Sequence, residues 1–384
     1  MMKGKTYLCV LLSSFILISG CTDIKHIEKI NFATALGFDF KDGKYHGYLQ
    51  LVDFGNIAKS ETGVKEPPKV YVAVGEGSSI NEAITKIINT SQTNIFFGHV
   101  TAIVLSETVI KKGFYDIYDA LSRNHEFTLS PWIYGTKDPI EKIFSVHGFF
   151  NKTSLDTILH RPLENFKQVS TIKPKQLYQF AREVFEPNYT TYLPSLTVIE
   201  QQWKKNQKNE PKLAYEGAFF MQNQHYKGFY MLNELKGLRW VKKGTKRVNI
   251  IISNKGKPAI SVIMYPKVKY KDNRASLSII IRGNGYIIDR ETNQMRHEDD
   301  IEKSVSSYIK KEVEALYKLG IEKETDFLNL EHTLFRKDYK KWRNLFKNSD
   351  APSKLDILKD IDVKIKIKHS DSNNNQKLDI KEIK

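Results

Sequence analysis

Histidine and acidic side chains are the first residues to test for chemistry, because they supply most catalytic bases and metal ligands. The chain has 10 histidines, and two of them, His125 and His297, are each followed by a glutamate. A zinc protease of the H-E-x-x-H type needs a second histidine, but Leu129 and Ile301 stand at that position. The acidic run 298–300 lies where a helix is predicted to begin, and there its charge offsets the helix dipole. No nucleophile elbow or phosphate-binding loop occurs either. We therefore predict that the protein is not an enzyme.

The C-terminal tail has the spacing of an EF-hand calcium loop. Polar residues occupy positions 1, 3, 5, 7, 9 and 12 of the segment from Asp371 to Glu382. Gln376, however, stands where the loop needs a glycine for its sharp turn. A strand is predicted before the segment, and the sequence given ends two residues after Glu382, which leaves no room for the second helix. We therefore predict an Asp/Asn-rich tail without a metal site.

A basic segment in the second half of the chain is the clearest candidate for a contact surface. Residues Lys236–Arg247 carry six cations among twelve residues, with a tryptophan between them. Such a surface fits anionic lipid or an acidic partner, and it fits a nucleic acid in composition, though not in an exported protein. The alternative is a solvent-exposed edge that lysines protect from pairing. The candidate contact residues are Glu234, Lys236, Arg239, Trp240, Lys242, Lys243, Lys246 and Arg247.

The N-terminus has the pattern of an export signal that ends at a cysteine. Lys3 and Lys5 precede a mostly apolar stretch over Tyr7–Ile18, and small residues then lead to Cys21. These last residues resemble the bacterial lipobox, in which the cysteine is diacylated and becomes the new N-terminus. Cys9 lies in the segment that would be removed, so Cys21 would be the one cysteine left. We predict diacylglycerol and a fatty acid on Cys21 and no other cofactor. The alternative is an ordinary signal peptide with a chance cysteine.

Composition narrows the class of protein further. The 384 residues contain 60 Lys+Arg against 44 Asp+Glu, a net charge of +16, and 40% are hydrophobic, which is enough to build cores and excludes whole-chain disorder. The mean hydropathy of −0.44 excludes a polytopic membrane protein, since no later apolar run approaches the roughly 20 residues of a spanning helix. Two cysteines exclude a disulfide scaffold and a cysteine-based zinc site.

Elements that would position these residues can be predicted for the first half of the chain. Strand-like runs on both sides of Asp42-Gly43 predict a β-hairpin. Ser79–Glu82 has the pattern of a capping box that opens a helix. A helix is predicted from Ser106 to about Ser122, with a break near Gly113. Residues 69–146 alternate between strand and helix patterns, which favours an α/β or α+β layer with helices packed on a sheet.

The second half is strand-rich and then helix-rich. Gln201–Lys212 is polar and basic and is predicted to be a linker. A long helix is predicted from about Asp299 to Leu319, with Gly320 ending it. Asp362–Lys368 predicts a half-buried strand with a lysine face in solvent. We predict a multidomain α+β fold of mixed sheets with helices packed on them: a signal peptide at 1–20, an N-terminal α+β domain at 21–200, the linker at 201–212, a small strand domain at 213–252 and a C-terminal α+β domain at 253–384.

Several blocks of sequence resemble the Ger(x)C family, the C subunits of spore germinant receptors. In chain order, and after the lipobox, these blocks are Phe97–Glu107, Tyr215–Phe220, Asn233–Trp240, Thr325–Leu330, Lys341-Trp342 and the terminal V-K-I-K-I-K. The ordered set covers essentially the whole mature chain. Thr22 stands where members commonly have tryptophan, and Phe327 and Leu328 stand where glycines are usual.

The resemblance implies a lipoprotein with three α+β domains and no established catalytic activity, on the outer face of the spore inner membrane. It implies membrane lipid and two polytopic subunits, of A type and B type, as partners in a receptor that senses nutrients. Two other functions stay open. A solute-binding lipoprotein of a transporter shares the lipobox and size but usually has two α/β lobes. A lipid-anchored cell-wall hydrolase needs paired carboxylates or a metal site, and we find neither pattern in the sequence.

Overall fold

The structure of the protein is a computed structural model, and it describes residues 30–52, 69–124, 126–254, 257–273, 276–290, 298–347 and 355–368. Cys21 and the calcium-like segment Asp371–Glu382 lie outside these residues. The lipid site and the tail without metal therefore stay predictions.

A large mixed sheet organises the first part of the chain. β1 (Ile30–Lys41) and β2 (Lys44–Val52) form the predicted hairpin, with φ angles of 50° at Asp42 and 75° at Gly43. Asp-Gly adopts this left-handed pair of conformations readily, which is why it favours two-residue hairpin turns. The chain continues with β3 (Val70–Gly77), β4 (Asn94–Phe96), β5 (Ala102–Ser106), β6 (Trp132–Thr136), β7 (Lys175–Gln176), β8 (Thr190–Ile199), the separate ribbon of β9 (Lys204–Lys205) and β10 (Lys208–Asn209), then β11 (Lys212–Gln222) and β12 (His225–Met231).

The strand order of the large sheet is β12-β11-β8-β6-β5-β1-β2-β3, with β4 beside β1 and β7 beside β6. Strands β1, β5, β6 and β8 run parallel, so their carboxyl ends lie at the same edge of the sheet. The chain leaves this edge after Ile199, whereas Ile30 begins β1 at the opposite edge.

Short helices cover both faces of the large sheet. Gly113, with φ of 127°, breaks the helix predicted over 106–122, as expected. Ser79 caps the first helix by accepting the N–H of Glu82 at 3.2 Å, which confirms the predicted start. On β8, Leu193 packs on one face and Leu196 on the other. The helices are α1 (Ile80–Ile88), α2 (Glu107–Lys112), α3 (Tyr115–Ser122), α4 (Ile140–Phe144), α5 (Pro162–Gln168) and α6 (Leu177–Phe185).

The second sheet has the order β13-β14-β15-β16. Its strands are antiparallel except for the last pair, which is parallel. A long helix, α8, packs against this sheet through a buried stripe that includes Ile301, Ile309 and Leu316. Sheets of mixed pairing covered by helices confirm the predicted α+β class. In chain order the elements are α7 (Leu238–Val241), β13 (Val248–Asn254), β14 (Lys257–Asn273), β15 (Ser276–Arg290), α8 (Glu298–Glu322), α9 (Leu330–Lys337), α10 (Tyr339–Phe346) and β16 (Leu358–Ile367).

Gly320 does not end α8, contrary to the prediction, because the helix continues to Glu322. A Cβ atom at Gly320 would lie 2.7 Å from the carbonyl oxygen of Thr325. Glycine at this position therefore allows the following chain to pack closely against the helix, rather than acting as a C-cap.

The division of the chain differs from the prediction at one place. The predicted linker, residues 201–212, lies at the end of a long hairpin, since β11 pairs with β8 from Lys212 opposite Ile199 to Gln222 opposite Thr190. β11 and β12 extend the large sheet instead of forming a separate strand domain. Apolar residues on both faces of β11 explain this, because Phe219 packs on one face of the sheet while Phe220 joins the core shared with the second sheet. The other predicted boundaries stay predictions.

Candidate interaction surfaces

The predicted basic contact segment connects β12 to β13 and contains α7. Leu235, Leu238 and Val241 are buried at helical spacing, so the segment is held in the core that joins the two sheets. Its side chains consequently separate into a buried group and a solvent-exposed group. The exposed candidate residues are Glu234, Lys236, Lys243 and Lys246.

Arg239 and Trp240 belong to the buried group, contrary to the prediction of a surface role. Arg239 Nη2 donates to both carboxylate oxygens of Glu312 on α8, at 2.9 and 3.0 Å, and Trp240 Nε1 donates to one of them at 2.6 Å. The Trp240 side chain is only 1% exposed. A buried carboxylate is stable only when its oxygens are hydrogen-bonded, so these contacts hold the segment to α8. Arg247 is partly buried, and its backbone exchanges hydrogen bonds with Ser170.

Lys242 points into a polar cluster at the junction between the two sheets. Its ammonium nitrogen lies 5.5 Å from the ring centre of Tyr189 and 5.7 Å from that of Tyr192. Burial, together with the positive charge of Lys175, lowers the pKa of Lys242 to about 8. We define the junction cluster as Lys175, Glu183, Thr191, Lys242, Asp326 and Asn329.

The centre of the junction cluster is an ion pair between Lys175 and Glu183. Lys175 also donates to Thr191 Oγ1 at 2.8 Å, and Thr191 donates to Glu183 at 2.6 Å. Burial disfavours the charge on Glu183, but the charge and hydrogen bonds of Lys175 and Thr191 outweigh it, so the pKa of Glu183 is lowered. Asp326 lies nearby on the chain that follows α8, and burial raises the pKa of this carboxyl to about 6.

Asn329 links the second part of the chain directly to the large sheet. Its side-chain oxygen accepts the N–H of Thr190 at 2.7 Å, and its side-chain nitrogen donates to the Thr190 carbonyl at 3.1 Å. Asn329 has φ of 55°, a left-handed conformation that asparagine tolerates better than most residues. The amide therefore pairs with the first residue of β8 as a neighbouring strand would.

Sequence reasoning did not identify the junction cluster as a unit. Asp326 and Asn329 lie in the block Thr325–Leu330 that carries the family resemblance, and a polar residue on each side of Phe327-Leu328 was the available signal. Lys175 and Glu183 gave no signal, because their pairing depends on how α6 packs beside β8. The cluster has balanced charges and buried hydrogen bonds, so its chemistry is that of a structural joint between two packed layers.

The described parts of the chain show no constellation for metal chemistry. Among these residues, no three His, Cys, Asp or Glu side chains lie close enough together to hold a metal ion. Likewise, no helix within the described ranges is both long enough and apolar enough to cross a bilayer.

Comparison with known proteins gives consistent matches along the chain. Residues 23–198 match the family described as spore germination protein N-terminal domain, and residues 216–371 match the spore germination B3/GerAC-like C-terminal family. The spore germination protein KC of Bacillus subtilis (strain 168) is 23% identical over 369 residues, covering 90% of each chain. The crystal structure of the GerBC protein aligns with a TM-score of 0.48 at 13% identity, covering 86% of this chain and 96% of that one.

Proposed function

The chain belongs to the Ger(x)C family of spore germination proteins, and we propose that it is the lipid-anchored subunit of a nutrient germinant receptor. The observation that carries this proposal is the ordered match to both family domains, which begins two residues after Cys21 and continues to residue 371. The protein would act by assembly with membrane subunits of A type and B type, not by catalysis. Its place would be the outer face of the spore inner membrane.

Cys21 would attach the protein to that membrane. Two acyl chains give stable anchoring where one gives only marginal binding, at about 0.8 kcal/mol per buried methylene. Anchoring confines the protein to a thin layer and so raises its effective concentration for membrane partners without any additional contact. A basic protein gains further at an anionic surface, roughly 1 kcal/mol for each nearby cation.

Metabolic labelling with a fatty-acid analogue tests the anchor. The wild-type chain should be labelled and recovered with membranes, whereas Cys21→Ala should be unlabelled and accumulate as precursor or as released protein. Cys9→Ala is the matched control, because that cysteine lies in the segment predicted to be removed, and it should leave labelling intact. Membrane-bound label in Cys21→Ala would disprove the lipid site.

The abundance of the polytopic subunits tests assembly. If the protein is a receptor subunit, loss of its gene should lower the levels of the A-type and B-type subunits encoded with it, as measured by immunoblots of spore membranes. An unchanged level and unchanged co-purification of those two subunits in the null strain would argue against a shared complex.

A further inference from the structure

Two loops meet beyond the carboxyl edge of the large sheet and present aromatic side chains to solvent. Phe150 is 92% exposed, Trp203 48% and Phe149 39%. The ring centre of Phe149 lies 4.9 Å from that of Trp203 and 6.2 Å from that of Phe150, so the three rings form a continuous patch. We define the aromatic tip as Phe149, Phe150 and Trp203 with the surrounding Lys152, Lys204, Lys205 and Lys208. Exposed apolar patches of this kind usually mark an interaction site.

The backbone holds Phe150 outward in a strained conformation. Phe150 and Asn151 have φ of 56° and 58°, and the turn is closed by the N–H of Lys152, which donates to the carbonyl of Phe149 at 3.1 Å. Glycine, asparagine and aspartate favour such positions, whereas a bulky residue there is strained. Phe150 gains no burial in return. Strain without a packing benefit is typical of a residue kept for contact with another molecule.

Lysines dominate the charge around these rings, and the two glutamates of the same hairpin are each paired with a lysine. Lys152, Lys204 and Lys208 are exposed, and within the described residues no carboxylate pairs with any of them. Lys205 is also exposed and donates to the amide oxygen of Asn151 at 2.6 Å, a neutral partner that leaves its charge uncompensated. The aromatic tip is therefore a cationic rim around an apolar apex.

A groove of about 350 Å³ opens beside the aromatic tip. Its lining includes the apolar side chains of Val146, Val198 and Pro211, with Lys205 at its side and Lys142 in an ion pair with Glu200 at 2.6 Å. Glu210 is the one acid in the lining, and Lys212 neutralises it with a contact of 2.6 Å. The groove is thus apolar inside, and Lys205 is the cation of its lining that no carboxylate compensates within the described residues.

We propose that the aromatic tip is a second membrane contact, which lays Phe149, Phe150 and Trp203 into the surface of an anionic bilayer. Aromatic rings are favoured at the level of lipid headgroups, and exposed lysines gain energy from anionic lipid. The segments 142–153 and 200–212 contain lysine but no arginine. Lysine suits diffuse contact with mobile headgroups, whereas a specific acidic protein partner favours the fixed fork of arginine.

This inference rests on the proposed membrane anchoring at Cys21, and it adds an orientation of the large sheet relative to the membrane. Cys21 precedes Ile30 by nine residues, an extended reach of at most roughly 30 Å. Ile30 lies at the amino edge of the parallel strands and the aromatic tip beyond their carboxyl edge, with β1 alone spanning about 40 Å. Since the span between the two contacts exceeds this reach, the strands cannot stand upright on the membrane when both contacts are made.

Vesicle binding by the chain without its lipid tests the tip independently of the anchor. The protein is made without residues 1–20 and with Cys21→Ser, and it is mixed with vesicles of phosphatidylcholine alone or of equimolar phosphatidylcholine and phosphatidylglycerol. The described core contains no residue before Ala33, so this chain keeps every core side chain named above. We expect salt-sensitive binding to the anionic vesicles, weakened about tenfold or more by Phe150→Ser and by the pair Lys204→Glu and Lys208→Glu.

Trp203 gives a site-specific signal in the same experiment. Trp240 and Trp342 are buried and Trp132 is partly buried, whereas Trp203 is half exposed, so brominated phosphatidylcholine mixed into the anionic vesicles should quench Trp203 fluorescence on binding. Trp203→Phe should abolish the quenching and preserve most of the affinity. Matched controls are Tyr115→Ser, which removes a 60% exposed ring elsewhere, and the pair Lys359→Glu and Lys366→Glu on β16, which make the same charge change and should leave binding unchanged.

Two results would overturn the inference. Anionic-vesicle binding that is equal in wild-type and tip variants would place any lipid contact elsewhere. Absence of vesicle binding, combined with tip variants that are normally lipidated and folded but fail to co-purify the polytopic subunits, would make the tip a protein contact. Neither result bears on whether Cys21 is acylated, and the second would support a receptor complex, because it requires the wild-type protein to co-purify the polytopic subunits.

Discussion

Two lysine-rich segments of this chain, each with one tryptophan, have opposite environments. In residues 236–247, Trp240 is 1% exposed and donates a hydrogen bond to a buried glutamate. In residues 201–212, Trp203 is 48% exposed at the end of a hairpin. The first segment was predicted to be a contact surface and the second a linker. In the structure the first is partly a structural joint, and the second carries the more exposed aromatic surface.

The residues beside each tryptophan account for the difference. Trp240 is accompanied by Leu235, Leu238 and Val241 at helical spacing, so burying it also buries a whole apolar face. Trp203 has only polar neighbours in sequence, and its one close ring is that of Phe149, which is itself exposed, so no apolar face of a helix or strand buries it. Composition predicts that both segments are basic, but apolar periodicity decides which one enters a core.

The largest expected effect comes from truncating the two tryptophans. Trp240→Ala should lower the free energy of unfolding by about 3–5 kcal/mol, whereas Trp203→Ala should change it by less than about 0.5 kcal/mol. Urea unfolding followed by circular dichroism measures both values. Equal losses for the two variants would remove the distinction between a buried and an exposed segment.

Loss of the Glu312 carboxylate, the partner of Arg239 and Trp240, should destabilise the protein almost as much. Glu312→Gln leaves Arg239 without a charged partner and should cost about 3 kcal/mol in the same unfolding measurement. Glu314→Gln is the matched control on the same helix, because Glu314 is half exposed and its contact to Lys310 is 3.9 Å, and it should cost less than about 0.5 kcal/mol. A Glu312→Gln variant as stable as the control would mean that Glu312 does not hold the segment to α8.

The junction cluster should make the free energy of unfolding depend on pH. The pKa of Asp326 is raised from 3.8 to about 6 in the folded protein, so the stability gained from its protonated form is present below about pH 4 and is lost as pH rises through about 6. Asp326→Asn cannot ionise, and it should become more stable than wild type by up to about 3 kcal/mol above pH 6 while the two converge near pH 4.

Glu331 and Lys242 are present in both proteins. The difference between the two free energies of unfolding, measured across this pH range, therefore reports on the ionisation of Asp326. Asp360→Asn, at an exposed position on β16, is the matched control variant. A constant difference between Asp326→Asn and wild type from pH 4 to 8 would contradict the raised pKa.

The smallest effect on stability is expected at the exposed end of the basic segment. Lys243→Glu and Lys246→Glu together should change the free energy of unfolding by less than about 0.5 kcal/mol, since neither side chain is buried. If this end is a contact surface, the same pair should slow the nutrient response of spores, measured beside the β16 pair Lys359→Glu and Lys366→Glu. A normal response would leave it as a solvent-exposed edge.

Local signals in the sequence predicted several parts of the fold because short-range physics decides them. The Asp42-Gly43 hairpin, the break at Gly113 and the stripe of α8 depend on residues a few positions apart. The predicted end of α8 was wrong because Gly320 has a different role. The chain that follows the helix folds back on it, and glycine lets Thr325 pack closely there. The role of Arg239 and the pairing of Lys175 with Glu183 depend on distant elements that meet only in the folded chain, so no local pattern revealed them.

A germination time course of mutant spores tests the central proposal most directly. Two kinds of spores are compared with wild type: spores that lack the gene and spores that carry Cys21→Ala. Their germination is measured as the loss of optical density, once with nutrients and once with a trigger that bypasses nutrient receptors. We expect slow germination with one nutrient class and an unchanged response to the bypass trigger. Normal germination of the null strain with every nutrient, in a background without paralogues, would contradict the receptor-subunit function.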